Sequence, residues 1–247
     1  MKQTLLGVRI DDFTKEQWLK VVADLVRSEK KGEYLVRPNA EIITYAQKDP
    51  EFKNILNNAT LAIPDGVGIE TAAKILNLRL NNRCGGPESM LDVVKLAEEN
   101  SFSIYLLGGK VQTVAKAARN LQKKFKNLKI RGYQSGYFTD SDQVINQINK
   151  LSPNIVFVGM GFTKQEKWIW ENKDKLNVSL LVAEGGSFDY IAGEVKRAPV
   201  FIRKIGSPSG NLIIKIYGNR RMNLSGISCL PGDVSTGCRD IPNISGT

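Results

Sequence analysis

Short apolar runs of strand length alternate along the chain with longer segments in which apolar residues recur at helical spacing. The runs fall at Thr4–Ile10, Tyr34–Val36, Leu61–Ile63, Ser103–Leu107, Lys129–Tyr133, Asn154–Val158 and Ser179–Ala183. Helical period marks Lys15–Ser28, Ala40–Ala46, Pro50–Asn57, Gly68–Leu76, Pro87–Glu99, Val111–Phe125, Asp142–Lys150, Lys164–Lys173 and Ser187–Ala192. This alternation predicts an α/β fold, a mostly parallel sheet covered by helices on both faces.

Several breaks in the pattern carry candidate chemistry. The run Leu61–Ile63 stops at Pro64 and Asp65 and restarts past Gly66 with helical period. A carboxylate is thereby set at the carboxyl end of a strand, where an open parallel sheet forms its ligand crevice. Asp65 there suits a general base or the N-cap of the following helix, and the pattern leaves both open. Three further strands run into glycine turns that open helices, at Gly108 and Gly109, at Gly159 and Gly161, and at Gly185 and Gly186. Helix N-termini at such turns present N–H groups to anions, so the three together suggest a nucleotide diphosphate site, although each alone equally serves a tight turn. Asp140 and Asp142 could hold a metal, but at a helix start they read as capping and dipole chemistry.

Composition narrows the chemistry. The 247 residues are 42% hydrophobic, enough for one main core, read as a domain over 1–205 followed by a Gly-, Ser- and Pro-rich tail over 206–247. The chain has no histidine, which removes Ser-His-Asp and Cys-His catalysis and leaves Asp, Glu or, less often, Lys or Tyr as the base. Three cysteines without a C-x-x-C pair give neither zinc spacing nor a disulfide framework. The net charge of +10 suggests an anionic partner, though much of it lies on solvated helix faces such as that of 111–126. Neither G-x-G-x-x-G with its following acidic residue nor a P-loop occurs, so hydride transfer and nucleotide hydrolysis are poorly supported. The first ten residues lack a leader pattern, and no apolar run reaches the roughly 18–20 residues that span a bilayer. The expectation is a cytoplasmic protein without a transmembrane anchor.

Four blocks then combine: "RPNAEII" (37–43), "AIPDGVGI" (62–69), "RCGGPE" (83–88), and the pair "VGMGFTKQEKW" (158–168) with "GGSFDYIAGEVKRAP" (185–199). Over about residues 4–205 the chain resembles the WecG/TagA/CpsF family of bacterial glycosyltransferases. The resemblance implies a Rossmann-like α/β core and transfer of a sugar from a UDP-sugar to a polyprenyl-diphosphate-linked acceptor at the inner face of the cytoplasmic membrane. The TagA branch, which the chain most resembles, moves N-acetylmannosamine from UDP-ManNAc to undecaprenyl-diphosphate-GlcNAc for the wall teichoic acid linkage unit, with inversion. Inversion by direct displacement needs a base on the acceptor hydroxyl, and the resemblance assigns it to Asp65. Gly108, Gly109, Gly161, Gly185 and Gly186 would shape the UDP crevice. Gln165 and Asn39 would contact the donor, or serve only as cap and turn residues, and Arg83 would clamp a phosphate. Charge on departing UDP would be met by helix N-termini and arginine, so neither metal nor cofactor is expected.

The chain also departs from that pattern. Arg37 stands where the family usually has Thr before Pro-Asn; it could turn outward, bind phosphate or acceptor, or impair the site. Thr163 stands where Pro is common. After Gly206 the tail lacks the Trp- and Arg-containing helical appendage of family members, so only weak, salt-sensitive membrane contact is expected. The rival readings are a non-catalytic nucleotide-sugar or RNA binding module, and a dinucleotide-dependent oxidoreductase. Aromatic and basic RNA-binding strand motifs are missing, so no nucleic acid partner is expected. Self-association stays open.

Overall fold

The computed structural model describes residues 2–78, 80 and 86–195. Its strands are β1 (Lys2–Leu5), β2 (Val8–Asp11), β3 (Glu33–Val36), β4 (Leu61–Ala62), β5 (Ser103–Gly108), β6 (Lys129–Gln134), β7 (Ile155–Gly159) and β8 (Leu180–Ala183). The helices are α1 (Lys15–Arg27), α2 (Ala40–Ala46), α3 (Pro50–Asn57), α4 (Val67–Ile75), α5 (Gly86–Glu99), α6 (Val111–Lys124), α7 (Ser141–Leu151), α8 (Lys164–Asn172) and α9 (Ser187–Ile191). Among the described residues six strands form one sheet in the order β4-β3-β8-β7-β5-β6, parallel throughout. The predicted α/β class therefore holds.

Alternation along the strands divides the core into two layers. Tyr105, Leu107, Val156, Val158, Leu181 and Ala183 face α2, α3, α4, α7 and α8. Their neighbours Ile104, Leu106, Ile155, Phe157, Leu180 and Val182 face α1, α5, α6 and α9. With both faces covered, β5, β7 and β8 have no exposed positions and are apolar apart from Ser103, whose hydroxyl bonds Asn154. β6 lies at the sheet edge and alternates between exposed and half-buried positions, which explains its mixed sequence KIRGYQ.

The strand expected over Thr4–Ile10 is instead an antiparallel hairpin of β1 and β2. Leu6 and Gly7 turn it with φ of 50° and 76°, the two positive values that a two-residue hairpin turn of this hand requires. The hairpin covers the far edge of β4: Asp11 Oδ2 accepts from Ala62 N at 2.9 Å and from Arg9 Nη2 at 2.7 Å, and that guanidinium also donates to Thr60 O. An edge that would otherwise expose backbone donors is thereby occupied. Among the described residues no helix is long and apolar enough to cross a membrane. The expected tail, 206–247, lies outside the described residues.

Candidate active site

The chain leaves β3 for β4 on one side and later enters β5 and β6 on the other, and β7 and β8 then fill the middle. The carboxyl ends of adjacent strands thus come from distant parts of the sequence, and two adjoining clefts open above them. The first, of about 540 Å³, is lined by residues following β3, β4, β7 and β8, including Arg37, Asn39, Asp65, Gln165, Glu166 and Glu184. The second, of about 470 Å³, lies above β5 and β7 and is lined by Gly109, Lys110, Tyr137, Lys164 and Asp189 among others. Gly161, Gly185 and Gly186 line both.

Asp65 is half-buried at the rim of the first cleft. Its backbone N–H donates to Pro38 O at 3.0 Å, which ties the turn after β4 to the turn after β3. It does not cap α4, whose N-cap is Gly66 and carries no side-chain cap bond. Instead Asp65 Oδ1 accepts from Gly86 N at 3.0 Å, the first N–H of α5. The capping alternative therefore fails for the helix it was raised for, and the carboxylate faces the cleft bound on one oxygen to the start of another helix.

Asn39 also lines the first cleft, and its Oδ1 caps α2 by accepting from Ile42 N at 2.9 Å. Gln165, only 4% exposed, joins two turns: its Oε1 accepts from Gly185 N and its Nε2 donates to Glu166 Oε1, both at 2.9 Å. Both ends of the amide are thus engaged within the protein, and the side chain braces the turn after β8 against α8. Glu166 is buried, its Oε2 has no hydrogen-bond partner among the described residues, and burial raises its pKa, with the Gln165 amide acting in the opposite direction.

The glycines divide into two kinds. Gly161 and Gly185 have φ of 88° and 50°, and a Cβ on either would meet no described atom within 4 Å. A side chain there would project into open cleft, so these positions let a ligand approach backbone. Gly108 lies behind the floor and is not among the lining residues of either cleft; a Cβ there would stand 2.1 Å from Gly159 O. Its role is close packing of β5 on β7, and Gly109 supplies the cleft wall beside it.

Arg37 lines the first cleft, and its guanidinium is bonded within the protein. Its guanidinium pairs with Glu184 and Ser89 and donates to Gly86 O at 2.8 Å. The Glu184 side chain is 1% exposed. Burial pushes its carboxyl up to about 7, while Arg37 and a hydrogen bond from Ser187 hold it down and the charge of Asp65 adds to the rise. Arg83 lies outside the described residues. Residues the sequence reading passed over are Glu166, Glu184, Lys110, Lys164, Tyr137 and Asp189. Glu184 had a legible signal, a charge directly ending the apolar run 179–183.

Two adjoining clefts with a shared glycine floor at the carboxyl edge of a parallel sheet place the chain among open-sheet α/β proteins whose ligand crevice lies at the strand ends. The chain belongs to the glycosyl transferase WecG/TagA/CpsF family, whose sequence profile matches residues 3–208. It is 30% identical over 205 residues to an N-acetylglucosaminyldiphosphoundecaprenol N-acetyl-beta-D-mannosaminyltransferase of Staphylococcus aureus strain NCTC 8325 / PS 47, covering 83% of this chain and 81% of that protein. The protein of the same description from strain MRSA252 is 29% identical over the same length.

Proposed function

We propose that this chain is an inverting hexosyltransferase that moves N-acetylmannosamine from UDP-ManNAc to undecaprenyl-diphosphate-GlcNAc, in assembly of the teichoic acid linkage unit. Family membership and the relatives' names support the reaction class. The observation that carries the mechanism is Asp65 at the rim of the first cleft, held on Oδ1 by Gly86 N–H, while Oδ2 accepts no hydrogen bond from a described residue.

The second cleft takes the nucleotide. Tyr137, 76% exposed, offers an aromatic face to the uracil, and the half-buried Asp189 offers acceptors to ribose hydroxyls. The diphosphate crosses the glycine floor near Lys110 and Lys164, where Lys110 is the N-cap residue of the 14-residue helix α6. The sugar then enters the first cleft toward Asp65. Asp65 takes the proton of the acceptor hydroxyl as its oxygen attacks the anomeric carbon. The bond from that carbon to the UDP oxygen breaks on the opposite face, and UDP leaves with the electron pair. The two lysines and the helix N-terminus meet the charge on UDP, so the reaction runs without a divalent cation or cofactor. The acceptor lipid places the protein at the inner membrane face as a weakly bound peripheral protein.

The test is UDP release from UDP-ManNAc with and without a polyprenyl-diphosphate-GlcNAc analogue, in the presence and absence of chelator. Acceptor-dependent, chelator-resistant release is expected. Binding of UDP without release under any condition would favour a non-catalytic nucleotide-sugar binding protein.

A further inference from the structure

Arg37 and Glu184 are 147 positions apart in sequence, yet the fold makes them neighbours. β3 and β8 pair in parallel with Leu35 opposite Val182, so two residues further on Arg37 stands opposite Glu184. Their side chains are 9% and 1% exposed, and the space beneath them is walled by Trp18, Leu35, Ile63, Val93 and Val182. A charge pair in such surroundings persists only if its remaining donors and acceptors are satisfied.

Several of them are satisfied by groups that lead to the base. Glu184 Oε2 accepts from Ser187 Oγ at 2.7 Å as well as from Arg37. Arg37 Nη1 donates to Gly86 O, which also accepts from Ser89 Oγ at 2.7 Å. The N–H of that same Gly86 is the donor to Asp65 Oδ1. The first residue of α5 is therefore held from one side by Arg37 and Ser89, and itself holds Asp65 from the other. The fork is engaged by Glu184, Ser89, Ser187 and Gly86, so a phosphate would have to compete with these partners for its donors.

We infer that Arg37 and Glu184 are a positioning pair for the Asp65 base, fixing the start of α5 that aims its carboxylate, and that Arg37 is not a phosphate ligand. The inference rests on the transferase reading of Asp65. It explains how a large cation is accommodated at position 37 of this cleft: the carboxyl at 184 accepts from its guanidinium beside Ser89 and Gly86.

The experiment compares the wild type with Glu184→Gln, Arg37→Lys and Asp65→Asn. Acceptor-dependent UDP release and UDP affinity are measured per folded molecule, together with the amide resonance of Gly86. Glu184→Gln removes the charge at constant size, and Arg37→Lys keeps the charge but loses the planar fork. A displaced base costs on the order of 10²-fold, so turnover should fall by about 10- to 100-fold in both variants while UDP affinity stays within about threefold. The Gly86 amide signal should shift away from its wild-type position in both variants. A large loss of UDP affinity in Arg37→Lys, with Glu184→Gln unaffected, would make Arg37 a phosphate ligand and overturn the inference. Lowered melting temperature with unchanged turnover per folded molecule would reduce the pair to a structural role and also overturn it. A wild type that shows no release would count against the transferase reading, and the Gly86 resonance would still decide the positioning claim: movement in both variants supports it, and no movement refutes it.

Discussion

Replacing Glu184 by Gln should change how stability depends on pH, by an amount the burial of this carboxyl sets. Its folded-state pKa is about 7, raised first by burial and further by Asp65, against an ordinary value of 4.5. A carboxyl raised on folding favours the native state when protonated. That advantage is complete below the ordinary value and is lost as pH rises toward 7. The shift corresponds to about 3 kcal/mol at about 1.4 kcal/mol per pH unit. Glu184→Gln abolishes this slope. The variant leaves Arg37 without its counter-charge, but Arg37 stays charged throughout the range, so that cost offsets the curve without tilting it. Glu166, the other buried carboxyl raised in this cleft, is present in both proteins and cancels in the difference. Urea unfolding at intervals from pH 4.5 to 7.5 should therefore show the wild type losing about 3 kcal/mol relative to the variant across that window. A difference flat to within about 0.5 kcal/mol would mean that Arg37 keeps Glu184 ionised in the folded protein down to its ordinary range, and the argument from burial would be wrong.

Other residues give sharper mechanical tests. Gly108→Ala, whose Cβ would stand 2.1 Å from Gly159 O, should cost about 3 kcal/mol or more in urea unfolding, and a loss under about 1 kcal/mol would show that β5 and β7 can separate there. Thr163 is a β-branched residue at φ 66°, so Thr163→Gly should raise stability by about 1 kcal/mol, read from the shift in the unfolding midpoint; destabilisation would mean the strain is absent. Lys110→Gln with Lys164→Gln should weaken UDP binding by about tenfold or more in low-salt calorimetry, since charged hydrogen bonds to phosphate are each worth about 1.5–3 kcal/mol, and unchanged affinity would move the diphosphate off this floor.

How much of this was legible beforehand depends on whether a feature is local. Ala40–Ala46 and Pro50–Asn57 match the helical pattern to the residue because each carries its own N-cap, Asn39 and Asp49, directly ahead of an apolar stripe. The apolar runs at β5, β7 and β8 were equally plain, since central strands must be apolar on both faces. The hairpin at the start was missed because one apolar stretch spans both of its strands and only Gly7 marks the turn. In the cleft, Asp65 was visible as a charge at a strand end. That its partner is Gly86 rather than its own helix depends on where α5 begins in space. The pairing of Arg37 with Glu184 is set by the register of β3 on β8, which no local pattern encodes. Gly108 and Gly161 look alike in sequence, yet one packs a sheet and the other opens a cleft.

The central claim, that Asp65 is the base of a glycosyl transfer, is tested most directly by Asp65→Asn in the acceptor-dependent release of UDP from UDP-ManNAc. Asparagine keeps the size and the oxygen that accepts from Gly86 N–H, but it cannot take the acceptor proton. Turnover should fall by about 10²–10⁴-fold, the range for a general base, with UDP affinity and melting temperature close to those of the wild type. Turnover retained within a few-fold, alongside a loss of stability of about 1 kcal/mol or more, would instead make Asp65 a cap for α5 and contradict the mechanism.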